Sequence, residues 1–142
     1  DTNDIAFHDD MITTEVHLVK DRPVVLKFRS RDVIHSAYLP HFRVQMNCVP
    51  GVTTQFGFTP TKTTLEMRKD PKIIDQMRSI NKIRKEQGKE KVEFDYILLC
   101  NKICGSQHYN MKMKFVVETE EEYNNWISKQ KTLGSKLLTS KK

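Results

Sequence analysis

No apolar run in the 142 residues approaches the about 18 needed to cross a bilayer, and no signal-peptide pattern opens the chain. The chain starts abruptly at Asp1, with four acids in its first ten residues. That start reads as the edge of a domain within a longer protein, so the missing span excludes a membrane helix only from these residues. Aromatic residues are absent from both basic segments. Residues 62 to 91 carry ten Lys or Arg against five acids, and residues 129 to 142 carry five Lys and no acid. A nucleic-acid surface interleaves its cations with stacking aromatics or presents them on a known module, and neither segment does so. Both are read as solvated charge, and without them the formal charge of +6 becomes −4 for the rest of the chain. Cysteine is scarce and odd in number, with three residues, which argues against a disulfide framework. Cys48, beside Val49 and the Pro50-Gly51 pair, has no companion at ligand spacing and is read as a buried free thiol.

The remaining composition, 37% hydrophobic and 30% charged, is that of one globular domain large enough to bury a core. Residues 1 to 12 show no periodicity and read as a loose terminus. Alternation then marks Glu15 to Val19 and Val24 to Arg29, two strands across the turn Asp21-Arg22-Pro23. Val52 to Phe58 is β-like, and Phe94 to Leu99 and Met113 to Val117 are further strands. Asp70 as N-cap, Pro71 at the first helical position and Gly88 past the end delimit a helix over about 71–87, with Ile73, Met77 and Ile80 as its packing face. Thr119 and Glu122 form a capping box opening a second helix over about 120–130, which buries Tyr123, Trp126 and Ile127. Beyond it, residues 131–142 read as a fraying Lys-rich tail. His8 and His17 lack ligand-spaced companions and are assigned to the surface.

The informative stretch runs from Cys100 to Met111: two thiols, an imidazole at His108 and a thioether within twelve residues. Thiolate and thioether are soft donors, and adding Met to Cys and His biases a site towards copper. Cys100 and Cys104 can converge on one ion or bridge two. Positions 100, 104, 108 and 111 would also share one face of a helix as a buried stripe, but the flanking strand patterns and the loop residues Asn101, Gly105 and Asn110 favour a loop between two strands.

Asp32-Val33-Ile34-His35-Ser36, a following Val49-Pro50-Gly51 and the Cys-x-x-x-Cys-Gly-x-x-His-x-x-Met of residues 100–111 together resemble the copper A domain of cytochrome c oxidase subunit II, over about residues 15 to 127. The resemblance implies an all-β, cupredoxin-like Greek-key sandwich or barrel, carrying the inserted and C-terminal helices as additions. It implies a dinuclear copper centre bridged by Cys100 and Cys104, one ion completed by His35 and Met111, the other by His108 and the backbone carbonyl of Lys102. The family's middle loop residue is most often Glu, whose side chain helps hold magnesium at the contact with subunit I. Lys102 stands there instead, and an ammonium cannot ligate a cation, which puts magnesium in question.

The implied function is one-electron transfer from a c-type cytochrome to the haem centres of subunit I. It would take place at the periplasmic face of a bacterial inner membrane, within a protein anchored by a transmembrane hairpin upstream of Asp1. The family's Trp-bearing segment for receiving electrons also lies upstream of these residues, and Trp126 is assigned to packing. By resemblance Asp32 belongs to an acidic patch that meets a basic cytochrome. Two alternatives share the ligand types: the similar domain of nitrous oxide reductase, and a copper- or zinc-holding module without redox turnover.

Overall fold

The computed structural model describes residues 10–105 and 111–132. Seven strands follow in chain order: β1 (Glu15–Val19), β2 (Val24–Phe28), β3 (His35–Leu39), β4 (Val44–Cys48), β5 (Thr54–Phe58), β6 (Tyr96–Cys100) and β7 (Lys112–Glu118). Helices α1 (Thr64–Arg68) and α2 (Pro71–Glu86) separate β5 from β6, and α3 (Glu120–Ile127) follows β7. Five strands form one sheet in the order β1-β7-β6-β3-β4, and β2 pairs with β5 in a second. All pairings are antiparallel except β1 with β7. The fold is cupredoxin-like, mostly β with few helices, and its two sheets do not close into a barrel among the described residues.

Strand alternation decides what the second sheet contributes. In β2 and β5 the alternate residues Val24, Leu26, Phe28, Phe56 and Phe58 turn inward and pack on a core of Leu18, Leu39, Val44, Phe94, Tyr96, Phe115 and Val117. Full burial of each such side chain stabilises the fold by about 1.5–3 kcal/mol. The opposite faces of the same strands carry Val25, Lys27 and Gln55 to solvent.

The turn after β1 does not make a hairpin. Asp21 adopts a left-handed conformation (φ 61°) and donates its N–H to the Pro60 carbonyl, so β1 and β2 enter different sheets, and β1 instead lies parallel to β7. Alternation identifies strands but carries no information on such long-range partners.

Helix α2 keeps its expected ends. The Asp70 carboxylate accepts from the Lys72 N–H, Pro71 occupies the first turn, and Gly88 takes φ 68° beyond the last. Ile73 and Met77 pack on the core, whereas Ile80 stays more than a third exposed. The Asn81 amide exchanges two 2.9 Å hydrogen bonds with the Val92 backbone, which fastens the returning segment to the helix. Helix α1 was not expected from the sequence, although Thr63 and Glu66 form the same reciprocal capping box that Thr119 and Glu122 form ahead of α3. Along α3, Tyr123 and Trp126 are half-buried but Ile127 is exposed, because the helix lies along the edge strand β1 and presents only one narrow face to it. Among the described residues, no helix is long and apolar enough to cross a membrane.

His17 departs from its surface assignment. Its side chain is 6% exposed, its Nδ1 lies 2.8 Å from Glu118 and its Nε2 3.1 Å from Glu15, and its ring stacks on Trp126 at 3.9 Å. The helix that buries it comes from the far end of the chain, so the sequence around His17 gave no sign of it. His8 lies outside the described residues.

Candidate metal centre

The Cys loop is pinned at its neck. Cys100 closes β6, and its N–H donates to the Met111 carbonyl at 3.2 Å, so the loop returns to β7 one residue before Lys112. The next N–H, that of Asn101, donates to the Ser36 carbonyl at 2.9 Å and ties the loop to β3 directly beside His35. Register does the rest. Ala37 pairs with Cys100 across β3 and β6, while His35 pairs with Cys48 across β3 and β4.

Side chains separated by 65 residues in sequence therefore meet. Cys100 Sγ lies 3.8 Å from His35 Nδ1 and 3.6 Å from Cys104 Sγ, and the donor atoms of His35, Cys100 and Cys104 all fall within 4.8 Å of one another. The Lys102 carbonyl oxygen stands 3.4 Å from Cys100 Sγ, and the Met111 thioether 3.3 Å from Cys104 Sγ. Two thiolates holding one ion at ~2.3 Å can stand at most ~4.6 Å apart, so the sulfur separation suits a shared metal. Thiolate, imidazole and thioether are a soft donor set of the kind copper takes. His108, the remaining expected ligand, lies outside the described residues.

Electrostatics order the three protein donors. Asp32 Oδ1 meets His35 Nε2 at 2.8 Å, and this bond, helped by the Val33 backbone and Ser30, holds the Asp32 carboxyl down to about 2. Asp32 in turn raises the His35 imidazole above its ordinary value, with Cys100 adding to the effect. The pairing leaves Nδ1 as the nitrogen facing the thiols. Burial opposes ionisation of Cys100, but hydrogen bonding from the backbone at Ser36 and Lys102, together with His35 and Cys104, outweighs it and brings the thiol to about 6. Cys104 shifts the other way, pushed up by burial and by its neighbour Cys100.

These groups line a cleft of about 920 Å³ between the sheets. Its walls include two features that sequence reading did not place there. Cys48, buried as expected, stands opposite His35 with its thiol raised by burial. Arg29 and Arg31, from the β2–β3 connection, line the mouth beside Asp32 and Lys112. The Arg29-x-Arg31 pair immediately ahead of the Asp32–His35 motif was the available signal.

No family model matches the chain. Among curated proteins, it is 32% identical over 120 residues to the alternative cytochrome c oxidase subunit 2 of Bradyrhizobium diazoefficiens, covering 84% of this chain and 32% of that one. It is 25% identical over 126 residues to cytochrome c oxidase subunit 2 of Thermostichus vulcanus, covering 88% of this chain and 29% of the relative. These relatives and the fold support a copper A domain of cytochrome c oxidase subunit II. The chain spans about a third of the length of these curated relatives.

Solved structures agree on the fold. The periplasmic domain of subunit II of cytochrome oxidase (CoxB) from Bradyrhizobium japonicum superposes with a TM-score of 0.57 at 18% identity, covering 84% of this chain and 65% of that one. Another likeness, with a TM-score of 0.52, also at 18% identity, covers 80% of this chain and 59% of that one, and is subunit II in a mixed disulfide intermediate with a thioredoxin-like TlpA. At such identity the likeness establishes the fold alone.

Proposed function

We propose that the chain is a single copper A domain that accepts electrons one at a time from a c-type cytochrome at a dinuclear copper centre and passes them towards the haem centres of subunit I. The observation that carries this reading is the meeting of His35 Nδ1, Cys100 Sγ and Cys104 Sγ within 4.8 Å, with the Lys102 carbonyl and the Met111 thioether alongside. Cys100 and Cys104 would hold the copper pair between them, with His35, Met111, His108 and the Lys102 carbonyl completing the donor set. A copper pair held by both thiolates would supply one-electron chemistry shared over two metals, with little change of geometry on transfer.

The protein's own contribution is rigidity and orientation. Asp32 fixes the His35 ring so that Nδ1 points at the sulfurs, as carboxylates behind ligating imidazoles do. The hydrogen bonds at Cys100 and Asn101 fix the loop against β3 and β7. Residue 102 offers magnesium no side-chain donor, its side chain being an exposed ammonium. Oxygen reduction belongs to the assembled oxidase, of which this chain is an oxidoreductase module. The domain would work at the periplasmic face of a bacterial inner membrane, anchored through other parts of the full protein.

Copper reconstitution tests the reading. Two coppers per chain with the absorption of a mixed-valence, thiolate-bridged pair support it. One copper with a blue single-thiolate spectrum, or preference for colourless zinc, points to a non-redox metal-holding module and overturns it.

A further inference from the structure

We infer that the mouth of the metal cleft is a docking surface for an acidic redox protein. The inference rests on reading this cleft as the place where electrons arrive, and it reverses the sign that the resemblance implies for the patch around Asp32.

The charges at the cleft are one-sided. Arg29, Arg31 and Lys112 line it together with His35, Cys100 and Cys104, and Lys102, two residues after Cys100 in the Cys loop, is exposed. Asp32 is the one carboxylate in that lining, and its Oδ1 is turned to His35 and Ser30. Residues 106–110 of the loop contain no Asp, Glu, Lys or Arg, so they cannot reverse this balance. Among the described residues, none of Arg29, Arg31, Lys102 or Lys112 forms an ion pair.

Five acids among the described residues are engaged outside the cleft lining. Glu15 and Glu118 flank His17, Glu93 and Asp95 face Arg68, and Glu120 pairs with Arg22. Among the described residues, Asp32 is therefore the only acid in the cleft lining, because a segment's net charge does not say which end of the sandwich its carboxylates occupy.

Exposed apolar residues accompany the basic groups. Ile103 in the Cys loop is 91% exposed, and Val33, Ile34 and Met111 are each more than a third exposed. Val33 and Ile34 immediately precede His35, Ile103 immediately precedes Cys104, and Met111 lines the cleft, so exposed apolar residues adjoin the donors along the chain. Apolar contact ringed by like charges suits brief protein docking: the rim steers a partner of opposite sign while the centre permits close approach. Arginine, with its planar fork, suits carboxylate-bearing partners in particular.

Calorimetric titration of the chain, with and without copper, against an acidic and a basic purified c-type cytochrome tests this at low salt. The acidic protein should bind and the basic one should not, and binding should weaken as salt rises towards the ~8 Å Debye length of physiological ionic strength. The double reversal R31E/K112E should weaken binding of the acidic protein at least about tenfold while leaving the copper spectrum intact. The control reversal K82E/K85E on α2 should leave it within about twofold, which separates docking at the cleft from attraction by the total charge. R31Q/K112Q serves as a milder pair should the reversals disturb folding. Tighter binding of the basic cytochrome, or equal losses from the cleft and α2 variants, would overturn the inference. Failure to take up two coppers while acidic-protein binding persists would count against the functional reading instead.

Discussion

His35 is held from both sides: Nε2 meets the Asp32 carboxylate at 2.8 Å, and Nδ1 faces the Cys100 sulfur at 3.8 Å. One ring nitrogen is thereby committed to an oxygen acceptor three residues upstream, and the other is left for a metal or a thiol.

Asp32→Asn should therefore loosen the site without removing a ligand. The amide is nearly isosteric but exerts a weaker hold on the imidazole, so copper affinity should fall roughly 10–100-fold while the loaded spectrum keeps its shape. Competition with a chelator of known affinity measures it. Unchanged affinity would mean that β3 alone orients the ring.

Cys104→Ser should abolish the proposed two-copper centre or convert it to a mononuclear one, since the thiol 3.6 Å from Cys100 has no substitute in the His35, Cys100 and Cys104 group among the described residues. Two coppers per chain with the parent spectrum in that variant would sink the assignment.

Met111 should tune more than hold. Its thioether is a weak donor and the residue is 39% exposed, so Met111→Leu should retain copper and raise the reduction potential. Redox titration followed by absorbance reads the change, and complete copper loss would remove Met111 from the ligand set.

The three thiols should react in a fixed order when metal is absent. With Cys100 brought to about 6 and Cys104 and Cys48 both raised, Cys100 should be roughly nine-tenths thiolate at pH 7 and alkylate first. Because its ionised form is favoured, the rate should climb through pH 6, level off by pH 7 and fall on acidification. Peptide mass spectrometry after a limiting pulse of iodoacetamide reports the order, and preferential labelling of Cys48 would contradict the burial argument.

Much of the site was legible before any coordinates. Cys100, Cys104 and Met111 are local, and their loop is bounded by strands whose apolar residues alternate visibly. His35 was found only through the Asp32–His35 motif, since nothing in its own neighbourhood says which strand it will adjoin. What sequence could not supply was long-range placement. Arg29 and Arg31 stand at the metal cleft because β2 crosses to the second sheet after the Asp21 turn, and a count of charges by segment cannot anticipate that. The missed helix α1 is a different case. Its Thr63 and Glu66 carried the same capping signature as Thr119 and Glu122, and the five-residue length left little periodicity to confirm it.

His17 provides the last prediction, and it concerns stability rather than metal. Its ring lies between Glu15 and Glu118 and stacks on Trp126 at an interplanar angle of 11°, so one side chain joins the parallel β1–β7 edge to α3. Removing it leaves the Glu118 carboxylate, 19% exposed, without its imidazole partner and takes away the ring's contact with Trp126. His17→Ala should cost about 2–3 kcal/mol, combining a lost charge-assisted hydrogen bond with the cavity beneath the indole. His17→Phe separates the two contributions. It preserves an aromatic face for Trp126 but offers nothing to the carboxylates, so it should recover about 0.5–1.5 kcal/mol relative to Ala and no more. Chemical denaturation of the metal-free chain gives both numbers, with Trp126 emission as the local readout: red-shifted in the Ala variant, close to the parent in the Phe variant. Equal stability for all three proteins would show that α3 is held to β1 by Tyr123 and the helix backbone alone.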